Sequence, residues 1–520
     1  MPTITNPRSA RRLTPWAPRG LAALVVSLTL VAAAHEPQQA TSFIITGAQV
    51  ADGSGGPLMA ANVRVIGDSI AEVGQLTPRL GEAVVDGRGL VLAPGFVDIH
   101  NHSTVGLERE PAATTQVAQG ITTLAVGQDG SSPWPLPEYL GGLRSAPPAV
   151  NVVTFAGHAT IRRLVMGDDY QRVARPDEVA RMATLVTQAM NEGAFGLSSG
   201  LEYEVGSYSA TDEVVTMARA AGLRGGLYIS HIRDEANLAM DAIAEAIAIG
   251  ERGGLPVQIT HIKLGTVSVW GRAAEVVGMV EAARRRGVDV TADVYPYLAW
   301  QSTPHVLIPN RQYTDSLSIQ RGLDDIGGAR NVQITRWAGH ERFVGQRLDV
   351  AARSLGVSDV EAYRRFQADE DAGMIGHTMI DEDLRHFMRQ PWAMVASDGG
   401  IANNHPRGAG TFPRVLGRYV REQQWLTLGE AVRKMSALPA ARLGLRDRGR
   451  IAPGMKADLV LFDPATVVDR ATFESPRALA SGITRVWVNG VVVWDGAAST
   501  TERPGRVLER PAHRSSSTPR

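Results

Sequence analysis

Apolar and polar positions divide the chain into three textures. Residues 42–50, 62–73 and 83–91 are β-branched runs broken by Asp52-Gly53, Gly67-Asp68 and Asp86-Gly87, a pattern of short strands and turns. Residues 457–462 and 484–494 repeat it near the other end, with Asn489-Gly490 as a hairpin turn. The two strand-rich pieces predict a small β domain built from both termini, residues 42–96 and 448–510. Between them, residues 97–447 alternate short apolar runs (226–230, 256–260, 288–292, 393–397) with helical patterns (238–251, 273–286). The last of these puts Val276, Val277, Val280 and Ala283 on one face. Repeated strand–helix units over this length predict an α/β fold, a (β/α)8 TIM-like barrel, with a doubly wound sheet as the alternative. Residues 301–372 break the alternation and read as an insertion over one barrel mouth, a lid.

The third texture lies at the ends. Arg8, Arg11, Arg12 and Arg19 precede an apolar run from Leu21 to Ala34 that closes on Ala32-Ala33-Ala34. A charged region, an apolar stretch and a small-residue cleavage site predict a signal peptide over residues 1–34 and an exported protein, periplasmic or secreted. The run is shorter than the roughly 20 residues that span a bilayer, so no stable membrane anchor is expected. Residues 511–520 are basic and Ser-rich and are expected to be disordered.

Composition narrows the chemistry. The chain has 520 residues, 53 basic and 53 acidic side chains, and no cysteine. A balanced charge lacks the footprint of a nucleic-acid binder. Absent cysteine excludes disulfide scaffolds, thiolate zinc sites and cysteine nucleophiles. Ser198 and Ser199 lack the GxSxG setting of a serine nucleophile.

Histidines fall where strands end. His100 and His102 close Gly-Phe-Val-Asp-Ile-His-Asn-His, and residues two apart on an extended segment point the same way. His231 and His261 end their apolar runs, and Asp398 ends another before Gly399-Gly400. In a parallel barrel all these ends open on one face. A lone histidine at a strand end is more often a hydrogen-bonded loop residue, but five ligand types in barrel order predict a metal site. Imidazole and carboxylate without sulfur suit Zn²⁺, then Co²⁺, Mn²⁺ or Ni²⁺, as one ion or two. His158 and His405 read as structural histidines; His340, His377 and His386 carry no case.

These segments resemble the amidohydrolase superfamily, and within it the N-acyl-D-amino-acid deacylases (D-aminoacylases). The resemblance rests on residues 95–102, on 196–203 (GLSSGLEY), 228–235 (YISHIRDE), 289–297 (DVTADVYPY) and 405–422 (HPRGAGTFPRVLGRYVRE), and runs from about residue 43 to 510. It implies a metal-bearing barrel with a small β-sandwich from both termini. It also implies hydrolysis of a linear amide, an N-acyl-D-amino acid giving a carboxylate and a D-amino acid. One departure stands out: Asp129, in Val126-Gly127-Gln128-Asp129-Gly130, occupies the place of a metal-binding cysteine. It offers a harder donor, or merely caps the turn before Ser131.

In the scheme this resemblance implies, His231, His261 and Asp129, with His100 and His102 beside them, hold metal that lowers the pKa of a bound water. Asp398 would take that proton and return it to the leaving amine. Lys263 and Tyr295 would receive the substrate carboxylate, and Arg233 would face the same mouth. Each could equally be a structural ion pair or a packed ring. The expected partner is a small N-acyl amino acid or short peptide. A dipeptidase or amidase on D-residue peptides, a lactonase or phosphotriesterase on the same scaffold, and a catalytically silent binding module are the other readings. Oligomeric state, acyl group and side-chain preference stay open.

Overall fold

The computed structural model describes residues 42–510; the leader and the basic tail expected from the sequence lie outside them. Eight parallel strand positions follow one another around a ring: Phe96–Asp98, Ile121–Val126, Asn151–Thr154 continued by Ala156–Gly157, Gly196–Gly200, Leu227–His231, Val257–Ile259, Val290–Val294 and Ala393–Val395. Neighbours are parallel throughout, and a parallel bridge from Asn101 to Gly399 joins the last strand to the first. The fold is a (β/α)8 barrel.

Strand periodicity divides the core. Val97, Ile99, Val153, Leu227, Ile229 and Met394 pack together as one buried cluster. The alternate residues Phe96, Leu124, Val152, Tyr228 and Val257 join a second cluster with the surrounding helices. Leu227, Ile229 and His231 share parity, so the alternation that sends two apolar side chains inward also sends the histidine there. The helix Ala239–Gly253 buries Ala242, Ile243, Ala246, Ile247 and Gly250 on one face. It stops where Gly254 takes φ 69° and returns its N–H to the Gly250 carbonyl. In Ala273–Arg285, Val276, Val280 and Ala283 are buried, while Val277 sits at the edge of the face. The next strand begins at Val290 rather than 288, because the Val288 N–H still closes the helix end on the Ala283 carbonyl.

Both ends of the described chain build the second layer. Leu459–Phe462 pairs antiparallel with Val91–Pro94 inside a six-stranded sheet. A four-stranded sheet from Ser42–Thr46, Asn62–Ile66, Ser69–Gly74 and Ala83–Asp86 packs against it. Ile45, Val63 and Val65 from one sheet, and Leu92, Leu459 and Trp487 from the other, form one apolar cluster. Sheets sharing an apolar face in this way make a sandwich.

The insertion folds around a core of its own, Tyr363, Phe366, Phe343, Trp337 and Ile319 among its buried members. It runs from Trp300 to Gly376 rather than 301 to 372. The strand Gly373–Gly376 lies between Trp300–Ser302 and Val332–Arg336, antiparallel to both, and closes the unit. Among the described residues, no helix is long and apolar enough to cross a membrane.

Candidate metal centre

The sequence-derived candidates come from different strands, and backbone contacts set their spacing. The Asp98 carboxylate at the end of the first strand accepts from the Ser397 N–H (2.9 Å), the Ser397 hydroxyl and Asn101 Nδ2 (2.8 Å). The Asp398 N–H then donates to the His100 carbonyl (3.0 Å) and the His102 N–H to the Gly399 carbonyl (2.6 Å). First and last strands are thereby locked at the level of the histidine pair. On the far side, Asp293 accepts from the His261 N–H (2.7 Å) and from Gln258 Nε2 (2.7 Å). Asp129, His261 and Asp398 all lie in the left-handed region, with φ of 53°, 34° and 49°. Such backbone costs about 1–3 kcal/mol per residue and persists only where surrounding contacts over-determine it.

Six side chains converge. His100 Nε2 and His102 Nε2 are 3.2 Å apart. His100 Nε2 lies 3.4 Å from Asp129 Oδ1 and 3.5 Å from Asp398 Oδ1. His102 Nε2 lies 3.4 Å from Asp129 Oδ2 and 3.1 Å from Asp398 Oδ1. His231 Nδ1 faces His261 Nε2 at 3.0 Å, and Asp129 Oδ1 is 3.9 Å from that same His261 nitrogen. Asp129 therefore stands between the two histidine pairs. Its Oδ1 is buried with no hydrogen-bond partner, an orphaned carboxylate oxygen of the kind a cation satisfies.

Charge points the same way. Asp129, Asp398, Glu202 and Glu235 are gathered around Lys263 and Arg407, four carboxylates against two fixed cations. Burial disfavours every one of these charges, yet Asp129 is held well below the usual carboxylate range by His100 and His102. Asp398 is lowered likewise, by Arg407 2.7 Å from its Oδ2 and by the histidines. The same carboxylates, against the opposing effect of burial, push His102 up to about 10 and His231 up to about 9. His261 goes the other way, to about 4, because burial and the Lys263 ammonium both oppose its charge. A site lined by imidazole nitrogens and carboxylate oxygens, with an orphaned carboxylate oxygen between the two histidine pairs, fits a divalent cation.

The remaining candidates sort by distance from this cluster. Lys263 Nζ lies 2.6 Å from both Glu235 oxygens and 2.7 Å from His261 Nδ1, within the site. Tyr295 is buried beneath the cations, its ring 5.7 Å from Lys263 Nζ and 4.9 Å from the Arg407 guanidinium. Arg233 lines the same cleft as His102, Asp129 and Asp398, as expected, but is held by another partner. The chain leaves strand geometry after His231, and its guanidinium instead pairs with Glu245 (2.7 Å) on the wall of the wide outer cleft. His158 bonds Glu213 (2.9 Å) and His405 the Ala299 carbonyl (3.0 Å), both structural roles. Sequence reasoning gave no role to Glu202, Glu235, Asp293 or Arg407. All four lie inside the motif segments, but nothing in their spacing says which way they face. Against the cluster is a small cavity lined by Tyr203, Lys263 and Arg407 and by Trp300, Val306 and Leu307 of the insertion.

Comparison with known proteins agrees with this geometry. The amidohydrolase family model matches residues 83–312 and 320–494. An N-acyl-D-glutamate deacylase of Alcaligenes xylosoxydans xylosoxydans is 37% identical over 499 residues, covering 91% of this chain and 98% of its own. A crystal structure of D-aminoacylase superposes with a TM-score of 0.81 at 35% identity, over 90% of this chain and 99% of that one. An N-acyl-D-glutamate deacylase from Bordetella bronchiseptica, solved with zinc and a phosphonate mimic of the tetrahedral intermediate, gives the same TM-score of 0.81 at 34% identity, with 90% and 99% covered. With its barrel, its two histidine pairs and a carboxylate between them in place, the chain belongs to the amidohydrolase family, in the branch that holds the D-aminoacylases.

Proposed function

We propose that the protein is a metal-dependent deacylase of N-acyl-D-amino acids, cleaving a linear amide to a carboxylate and a free D-amino acid. One observation carries the reading: two histidine pairs and two carboxylates converge under a cavity that also presents Lys263 and Arg407. The relatives that match over nearly their full length act on N-acyl-D-amino acids, which supplies the stereochemistry. Zinc is the metal we assign, on the donor set and on its presence in the Bordetella relative.

His100, His102, Asp129, His231, His261 and Asp398 would hold the metal. Bound there, it supplies Lewis acidity that acidifies water and polarises the scissile carbonyl. Asp398 accepts the proton of the attacking water at Oδ1, the oxygen turned towards His102, while Arg407 holds Oδ2. The water oxygen adds to the scissile carbonyl carbon, whose π electrons move to the carbonyl oxygen; as that carbonyl re-forms the C–N bond breaks, and the proton held on Asp398 passes to the departing nitrogen. Lys263 and Arg407 receive the substrate carboxylate, and the insertion's Trp300, Val306 and Leu307 exclude water from above.

Amine release from paired N-acetyl-D- and N-acetyl-L-amino acids, with zinc-loaded protein, tests this. Release from the D series alone, abolished by a chelator, is expected; none from either series sinks the reading. We further propose export, on the arginine-led apolar leader and the absence of cysteine. Fractionation of expressing cells should recover the protein outside the cytoplasm and shortened at its N-terminus.

A further inference from the structure

The two histidine pairs differ in what stands behind them. His231 Nδ1 and His261 Nε2 face each other at 3.0 Å, the inward nitrogens of their pair. Their outward nitrogens both meet carboxylates: His231 Nε2 is 2.8 Å from Glu202 Oε2, and His261 Nδ1 is 2.9 Å from Glu235 Oε1. By contrast, the buried outward nitrogen of His100 has no partner.

Glu202 and Glu235 reach these positions by different routes. Glu202 stands two residues beyond the strand Gly196–Gly200, and Glu235 four residues beyond His231. They are tied to each other, since the Glu235 N–H donates to Glu202 Oε1 (3.4 Å). Glu235 is already engaged by Lys263 at 2.6 Å. Among the described residues, the side chain of Glu202 has His231 as its one side-chain partner and no lysine or arginine of its own. A second contact fixes the same ring, with Tyr203 at 4.4 Å between centroids.

An imidazole that gives one nitrogen to an ion carries its proton on the other. A carboxylate accepting that proton selects the tautomer, fixes the ring and strengthens the donor. We propose that Glu202 is a positioning residue of the metal centre: it holds the Nε2–H of His231 so that Nδ1 is the nitrogen presented to the ion beside His261 and Asp129. The proposal rests on the metal-dependent reading above. It assigns Glu202 no contact with substrate, although Glu202 borders the cavity.

The test uses metal-stripped full-length protein, titrated with Co²⁺ against a chromophoric chelator, for the wild type, Glu202→Gln and Glu202→Ala. Glu202→Ala should weaken the tighter Co²⁺ step about 10- to 100-fold and change the visible absorption of bound cobalt. Glu202→Gln is isosteric and its amide oxygen can still accept from Nε2–H, so its loss should be smaller. At saturating metal, KM should remain near the wild-type value in both variants. Unchanged cobalt affinity and spectrum in Glu202→Ala, with a raised KM, would make Glu202 a substrate contact and overturn the proposal. Wild-type protein that binds no cobalt would instead overturn the metal reading, and this proposal with it. Thermal melting of the stripped proteins separates either result from misfolding.

Discussion

Gly200 offers a test of how tightly the Asp129 carboxylate is placed. It ends the strand Gly196–Gly200 directly against the turn that carries Asp129. A Cβ added there would lie 2.4 Å from the Asp129 carbonyl oxygen, 3.0 Å from its carbonyl carbon and 2.7 Å from Tyr203 Cδ2. Ordinary contact begins near 3.4 Å, so the Asp129 backbone must retreat by about 1 Å. The retreat is opposed, because Ser198 Oγ donates to the Gly127 carbonyl (2.6 Å) and accepts from the Gly130 N–H (3.2 Å), pinning both ends of the turn. Gly200→Ala should therefore cost about 1–3 kcal/mol of stability, as overpacking does, and lower Tm by a few degrees. A misplacement near 1 Å at a reacting centre is worth about 10²-fold in rate, so kcat/KM should fall by that order with the fold retained. Calorimetry, metal content and D-substrate turnover measure the three effects. Should Gly200→Ala keep its metal and more than half its turnover, Asp129 is a turn residue and the metal-holding role proposed for it is wrong.

Asp398→Asn keeps the side-chain volume and an oxygen towards the histidines but removes the proton acceptor. Turnover should drop about 10²- to 10⁴-fold while metal content, read by atomic absorption, stays close to wild type. Zinc at about 1,000 times its dissociation constant should add about 4 kcal/mol of stability, and melting with and without chelator should show a matching shift in Tm. His377, directly after the insertion's last strand, bonds Gln333 (2.9 Å) and is pushed down to about 4 by burial and by Arg347. Between that value and the ordinary 6.5 the unfolded chain binds more protons, so stability from this group is complete above pH 6.5 and is lost as pH falls towards 4. His377→Gln should flatten that part of the stability–pH curve, whose slope from one proton is at most about 1.4 kcal/mol per pH unit; an unchanged curve would show that the shift does not exist.

The histidines were legible because barrel geometry makes them so. A side chain at a strand's C-terminal end has a known direction, set by the period-two alternation with apolar neighbours such as Leu227 and Ile229. Reading His100, His102, His231, His261 and Asp398 as one site required only that the strands be parallel and sequential. For Arg233 the same logic reached the cleft but not the contact. Two residues past His231 the extended backbone has ended, and parity no longer predicts direction; an ion pair with Glu245 settled it instead.

The sequence by itself determined the fold class, the residue types of the centre and the exclusion of sulfur chemistry, because periodicity and composition are local properties. Tertiary structure alone decided which carboxylates act together. Asp98 reaches Ser397 across 299 positions of chain, and Glu202 meets His231 across 29. Whether a glutamate in a loop serves a metal ligand or solvent depends on ring closure and on the packing of neighbouring strands, and no local pattern encodes that. The left-handed backbone at Asp129, His261 and Asp398 belongs to the same class. It is strain that the residues themselves disfavour and that the assembled barrel imposes.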